Sequence, residues 1–227
     1  MNNSLLVSLF IFVLTAKVTG QSLQVSAGAG VDNGRTYRAK EQPGWPLQRG
    51  RHILPLITLG FSKMTDAGNI RSLNVLFTSE SNRLESTNPL LGDAGRTVYY
   101  RNGVQYEIMF PLSKTGKRHQ LFTGYAVSAS HSMFRFLPSS SVYFPQTRRG
   151  VMLEAGGCFE YRVTLKNGLC LYSGINLNII GTGIEVSSVE NPLLTKEQQT
   201  NTIFEMGFGP RVILHAGACV TLASKKQ

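Results

Sequence analysis

The stretch that decides the fold is FEMGFGPRVILHAGACVTL, residues 204–222. Its even positions, from Phe204 to Leu222, are all apolar. Its odd positions, apart from Ile213, are charged, polar or small: Glu205, Gly207, Gly209, Arg211, His215, Gly217, Cys219 and Thr221. Successive side chains of a strand point to opposite faces, whereas a helix would scatter the two sets around its circumference. The stretch therefore predicts one long β-strand between an apolar and a polar environment.

The same alternation recurs upstream and predicts seven more strands. They cover about residues 23–31, 51–64, 69–79, 97–112, 119–136, 150–165 and 169–186. Short turns with a glycine follow every second strand, at residues 66–68, 114–117 and 166–168. The other connections, residues 32–50, 80–96, 137–149 and 187–200, are longer and polar. Alternating short and long connections are typical of a closed antiparallel transmembrane β-barrel, here of about eight strands.

The turn at Lys166-Asn167-Gly168 allows a prediction of register. If the three residues form the loop, Leu165 lies opposite Leu169, and the apolar sets of both strands share one face. A two-residue loop would set apolar residues against polar ones. We therefore expect the three-residue form, with Gly168 in the left-handed conformation.

The N-terminus predicts export. Leu5 to Leu14 form an apolar run with the length of a signal-peptide h-region, which is too short for a spanning helix. Val18 and Gly20 suit the positions before a cleavage site, so we expect residues 1–20 to be a signal peptide and residues 21–227 to form the barrel. Two prolines, Pro55 and Pro210, lie within proposed strands, where each predicts a bulge or a bend.

The polar face identifies the environment of the barrel. In a small membrane barrel lipid covers the apolar face and side chains fill the interior. We expect an interior polar network of opposed carboxylates and guanidinium groups, made of Glu107, Glu154, Glu160, Arg162, Glu205 and Arg211. The alternative is a soluble exported barrel, with the apolar set enclosing an apolar ligand. The export signal and the loop pattern favour the membrane barrel.

The formal net charge is +10, and much of the basic excess lies in the predicted connections. Nucleic acid is one partner of basic chains, but an exported protein rarely meets it. Anionic headgroups of outer-membrane lipids, including lipopolysaccharide phosphates, are the expected neighbours. A solvated basic surface without a specific ligand is the alternative.

The chain contains three cysteines, Cys158, Cys170 and Cys219, all on the predicted inner face. The predicted strand ends bring Cys170 near Cys219, and an export compartment permits a disulfide between them. Buried free thiols acting as small apolar side chains are favoured over that pair. The spacing of Cys and His does not match a metal site, and no cofactor is indicated.

The segment Ser130-His131-Ser132 suggests a second class of function. A serine, a histidine and an acidic residue form the catalytic group of many hydrolases. The usual signature of outer-membrane lipid hydrolases resembles His-x-Ser, but here the residue two positions after His131 is Met133. The acidic residue on the neighbouring strand, Glu154, falls on the opposite predicted face. We therefore expect no catalytic residue, and a lipid-modifying hydrolase remains the alternative to a non-enzymatic barrel.

The signal segment, the strand rhythm and the loop pattern resemble the small bacterial outer-membrane β-barrel proteins, of the type of the OmpA transmembrane domain and OmpX. The resemblance covers essentially the whole mature chain but carries no diagnostic motif. It implies a porin-like barrel in the outer membrane, too narrow for a general porin, whose external loops serve envelope structure, adhesion or surface interaction. The chain departs from that group at its end, Leu222-Ala-Ser-Lys-Lys-Gln, which lacks the usual terminal aromatic residue.

Overall fold

A computed structural model of the protein describes residues 22–33, 53–65, 67–85, 93–113, 118–139, 144–165 and 168–223. The described strands are β1 (Ser22–Asn33), β2 (Ile53–Met64), β3 (Ile70–Glu85), β4 (Asp93–Pro111), β5 (His119–Pro138), β6 (Gln146–Thr164), β7 (Leu169–Val189) and β8 (Thr200–Ala223). Each strand pairs with its sequence neighbours, and β1 pairs with β8, so the sheet closes into an antiparallel barrel. The predicted closed antiparallel β-barrel of about eight strands is confirmed. Within these residues no helix is long and apolar enough to cross a membrane.

The turn between β6 and β7 follows the predicted register. The amide of Leu165 donates to the carbonyl of Leu169 at 2.7 Å. Val163 lies opposite Leu171, and Gly168 has a φ of 75°. A side chain at that φ would be strained, so glycine suits the position. The two residues between Leu165 and Gly168 lie outside the described part of the chain.

The strands extend further toward the long-loop end than the sequence predicted. β3 continues to Glu85 and β4 begins at Asp93, so most of the expected 80–96 connection is strand. β5, β6, β7 and β8 are longer at the same end, and β1 continues past its predicted end to Asn33. Many of the added residues are polar on both faces, and apolar alternation therefore does not mark them. We call this long-loop end the upper end of the barrel and the short-turn end the lower end.

The two strand prolines occur where pairing is irregular or ends. Pro55 lies opposite Val31 of β1, while the register with β3 begins one residue later, at Leu56. β7 and β8 shift register between Asn178 and Ile180, opposite the part of β8 that contains Pro210. A proline has no N–H to donate to a neighbouring strand, so both sites suit it. β8 remains a single strand through Pro210, as the continuing alternation predicted.

The lumen is not polar throughout, and this differs from the prediction. Near the lower end, Ile70, Met109, Phe122, Ala126 and Cys158 form a buried apolar cluster. A second cluster, of Leu56, Leu76 and Ile213, lies higher in the barrel. Each of these residues occupies an inward position of its strand. In so narrow a barrel, inward apolar side chains pack against one another and fill the space between polar layers.

Candidate functional site

Five of the six side chains predicted to line the interior are buried: Glu107, Glu154, Glu160, Arg162 and Arg211. Arg211 exposes 1% of its surface. The side chain of Glu205 lies outside the described part of the structure, although its backbone lies in β8 opposite Gly183. The buried groups form two sets along the barrel, because charged inward positions alternate with the apolar clusters.

The upper network consists of Asp32, Arg101, Glu154 and Arg211. Arg211 donates from Nε to Oδ1 of Asp32 at 2.8 Å, and its two Nη atoms donate to Oδ2 of Asp32 and Oε2 of Glu154. Arg101 Nη2 donates to the same Glu154 oxygen at 2.9 Å. Two guanidinium groups therefore face two carboxylates, and the network is balanced in formal charge.

The upper network joins strands that are far apart in sequence. Its members come from β1, β4, β6 and β8, so it crosses the lumen and bridges the first and last strands. Removing one member would leave a buried charge without its partner, which costs about 3–5 kcal/mol in other proteins. The network thus fixes how the sheet closes.

The lower network contains one cation and two carboxylates. Arg162 pairs with Glu160 on the same strand and donates from Nη1 to Oε1 of Gln24 at 2.8 Å. Glu107 accepts instead from three amide groups, those of Asn74, Gln105 and Asn176. These donors lie at 2.9, 2.6 and 3.0 Å from its carboxylate oxygens. Neutral donors therefore satisfy Glu107 without an ion pair.

The lower network lines a small cavity of about 20 Å³. Glu107, Glu160, Arg162 and Asn176 contribute to its wall. A polar cavity of this volume holds about one water molecule. The lumen at this level is therefore filled by side chains rather than open to solutes. Among the described residues, no group of three or more His, Cys, Asp or Glu side chains could hold a metal ion.

Sequence reasoning missed two members of the upper network. Arg101 lies within a predicted strand and shares its face with Gln105 and Glu107, so the period of two would have identified it. Asp32 was assigned to a loop, because the apolar alternation of β1 ends at Val31. The face of Asp32 follows only from the strand register, which places this residue opposite Leu54 and Ile213.

The outer face carries exposed apolar residues on all strands. Tyr125 exposes 71% and Val127 55% of their surfaces. Ile57, Leu59, Leu153 and Leu214 are exposed in the same way. A soluble barrel that encloses its apolar set would bury these residues and expose Arg211. The arrangement seen is the reverse, and it is that of a barrel whose outer face meets hydrocarbon.

The exposed apolar residues of the outer face form a band around the barrel, which we call the apolar belt. On β3 this belt lies between two outward arginines. Arg71 faces outward at the lower end and Arg83 faces outward toward the upper end. Between them the outward positions are Leu73, Val75, Phe77, Ser79 and Ser81. The span between the two arginines, residues 72–82, carries no charge at its outward positions, and its length matches the 9–11 residues that a tilted strand needs to cross a bilayer.

The residues of the candidate hydrolase lie on two faces. His131 is exposed on the outer face, whereas Ser130 is buried and accepts hydrogen bonds from Arg101 at 2.8 and 3.1 Å. The strand partners of His131 are Asn102 and Val151, neither of which carries a carboxylate. The structure therefore does not bring these groups together as a catalytic set.

The three cysteines are buried inward thiols. Cys170 and Cys219 occupy directly opposite positions on β7 and β8. Cys158 lies opposite Asn176, six residues along β7 from Cys170.

Comparison with known proteins identifies a structural likeness. No protein-family model and no curated protein matches the sequence. The fold is similar to that of a major outer membrane protein from Thermus thermophilus, with a TM-score of 0.57 and 10% identity, over 90% of this chain and 100% of that one. At this identity the likeness shows the fold, which is that of the small outer-membrane β-barrels.

Two further solved structures are less similar. Neisserial surface protein A (NspA) has a TM-score of 0.42 and 11% identity, over 90% of this chain and 98% of that one. Ail of Yersinia pestis, solved in complex with the heparin analogue sucrose octasulfate, has a TM-score of 0.40 and 10% identity, over 88% and 96% of the two chains.

Proposed function

We propose that the protein is an integral barrel of the bacterial outer membrane without enzymatic activity. It spans the lipid with its eight strands and presents its upper end and long loops outside the cell for envelope structure, adhesion or surface interaction. Residues 1–20 direct its export and are removed. The N- and C-terminal strands begin and end together at the lower end, which faces the periplasm in this proposal.

The observation that carries the proposal is the inverted distribution of side chains. The upper network is buried in the lumen, while large apolar residues such as Tyr125 and Val127 cover the outside. An apolar outer surface is unfavourable in water and favourable in lipid, and a lumen that encloses the charged groups keeps them out of the hydrocarbon. The filled lumen argues against a general porin. The separation of His131 from Ser130 argues against a hydrolase.

Cell fractionation tests the location. We expect the mature chain, beginning at Gln21, in the outer-membrane fraction, with an electrophoretic mobility that changes on boiling because a folded barrel resists detergent. A variant without residues 5–14, the apolar run of the signal, should stay in the cytoplasm. A freely soluble periplasmic product with unchanged mobility would contradict the proposal.

A further inference from the structure

Four arginines extend across the outer face of β3 to β6, and we call them the outer arginine row: Arg83, Arg96, Arg135 and Arg149. All four are exposed. On each strand, the arginine is the first Lys, Arg, Asp or Glu met on the outward face above the apolar belt. The four therefore mark the level at which hydrocarbon would give way to headgroups.

The register brings the four side chains together. Arg83 lies directly opposite Arg96. Arg96 is diagonal to Arg135, which pairs with Val98, and Arg135 is diagonal to Arg149, which pairs with Met133. Directly opposed side chains are about 5 Å apart at Cβ and diagonal ones about 7–8 Å. Successive guanidinium groups are thus close enough to contact a common anion.

This spacing of like charges favours the binding of an anion. Like charges directly opposite each other on a sheet repel. Arg96 Nε donates to Ser81 Oγ at 2.6 Å, which holds its guanidinium over β3 beside Arg83. Glu80 lies on the inward face of β3, whereas Glu85 and Asp93 have side chains outside the described part of the structure. A phosphate between the guanidinium groups would convert repulsion into bidentate attraction.

We propose that the outer arginine row binds the phosphate groups of the glycolipid in the outer leaflet. This inference rests on the proposed membrane location and names the lipid chemistry that the barrel recognises. A headgroup is favoured over a soluble polyanion because the row lies on the lipid-facing wall. On β4, β5 and β6 the next outward positions below the arginines are apolar, Val98, Met133 and Val151, and would contact the acyl chains of the same molecule.

Binding of purified lipid A to the folded barrel in zwitterionic detergent tests this. We expect affinity to fall about fivefold for each arginine changed to glutamine, the factor that corresponds to about 1 kcal/mol per basic residue at an anionic surface. Raising the salt concentration should weaken binding, because exposed charges are screened. The matched control is Arg71→Gln, on the same face of β3 at the lower end, which should bind as the wild type does.

Three other results decide the source of the phosphate. Dephosphorylated lipid A should bind weakly and equally to wild type and to the fourfold glutamine variant. A fourfold lysine variant should bind phosphorylated lipid A more tightly than the glutamine variant but less tightly than the wild type, because lysine keeps the charge and loses the bidentate geometry. Wild-type affinity in the fourfold glutamine variant, with boiling-dependent mobility intact, would overturn the proposal. Equal binding of inorganic phosphate or a soluble sulfated polysaccharide would assign the row to a soluble anion. Absence from the outer membrane would instead refute the proposed location.

A second inference concerns Cys170 and Cys219. Directly opposite residues of an antiparallel pair have Cα atoms about 4.5–5.5 Å apart, within the 4.4–6.8 Å that a disulfide requires. Both side chains point inward, and the two residues expose only 4% and 1% of their surfaces. Cys158 is about 20 Å away by strand rise, so it cannot join either of them.

We infer that these two thiols form a disulfide in the exported protein. The two S–H bonds break and one S–S bond forms, while two electrons and two protons pass to the disulfide of a periplasmic thiol oxidant. Because the folded barrel buries both sulfur atoms, the exchange takes place before the barrel closes. The bond then covalently joins β7 to β8 at the lower end, beside the closure with β1.

Thiol counting on protein from the outer-membrane fraction tests the pair. After acid quenching, denaturation and maleimide labelling, we expect one modified thiol without reduction and three after reduction. Cys158→Ser should give none and then two, whereas Cys170→Ser should give two in both cases. Three labelled thiols in unreduced, membrane-located wild type would refute the disulfide alone, and a disulfide-linked dimer would refute the pairing.

Discussion

Replacing Arg211 with alanine is expected to lower the free energy of unfolding by about 3–5 kcal/mol. The change leaves Asp32 facing no guanidinium group and leaves Glu154 with Arg101 as its remaining cationic partner. Neither carboxylate reaches bulk water from its buried position. Urea unfolding of the barrel in lipid vesicles, followed by far-ultraviolet circular dichroism and by mobility on gels, measures the loss.

Two controls separate pairing from packing. Arg118→Ala removes an exposed arginine in a turn and should change stability by less than about 0.5 kcal/mol. The double variant Asp32→Leu with Arg211→Met removes both charges of one pair and should cost less than the sum of the single changes. An effect of Arg211→Ala no larger than that of Arg118→Ala would show that the upper network contributes little.

Placing an arginine at Val127 is expected to destabilise the inserted barrel by about 2–4 kcal/mol, the cost of a charge near the bilayer midplane. Val127 is 55% exposed on the outer face of β5, and exposed sites of soluble proteins tolerate such a change within about 0.5 kcal/mol. The same vesicle-based unfolding measurement therefore distinguishes hydrocarbon from water at this position.

Leu137→Arg is the matched control on the same strand and the same face. Leu137 is 44% exposed near the upper end of β5, beyond Arg135, so its surroundings are predicted to be aqueous. Because Leu137 lies directly opposite Arg96, we expect from it only the cost of facing a like charge, less than about 1 kcal/mol. Equal costs for the two arginines, or no cost for either, would contradict the position of the apolar belt.

The sequence predicted the barrel well where two different environments meet. Alternation of Phe204, Met206, Val212 and Leu214 with polar residues identified β8 and its faces, because lipid and lumen select opposite side chains. The same signal fails above the bilayer, where both faces of a strand are polar. Residues 80–85 of β3 were therefore predicted as loop and are strand in the structure.

Pairing inside the lumen could not be derived in the same way. Alternation gives the face of Glu154 but not its partners, because those depend on register and on the curvature of the closed sheet. Arg101 lies two strands away in sequence and Arg211 lies two strands away on the other side. The register shift near Asn178 also depends on how β7 meets two neighbours at once, which local sequence does not specify.

The ion pair that joins Asp32 on the first strand to Arg211 on the last exists only in the finished cylinder. An open sheet entering the bilayer would carry Asp32 without its partner, at a cost of several kcal/mol for an unpaired ion. Strand insertion and ring closure must therefore be concerted, so an unclosed spanning intermediate would be sparsely populated. The polar interior thus disfavours incomplete barrels in the bilayer, because their unpaired charges raise their free energy.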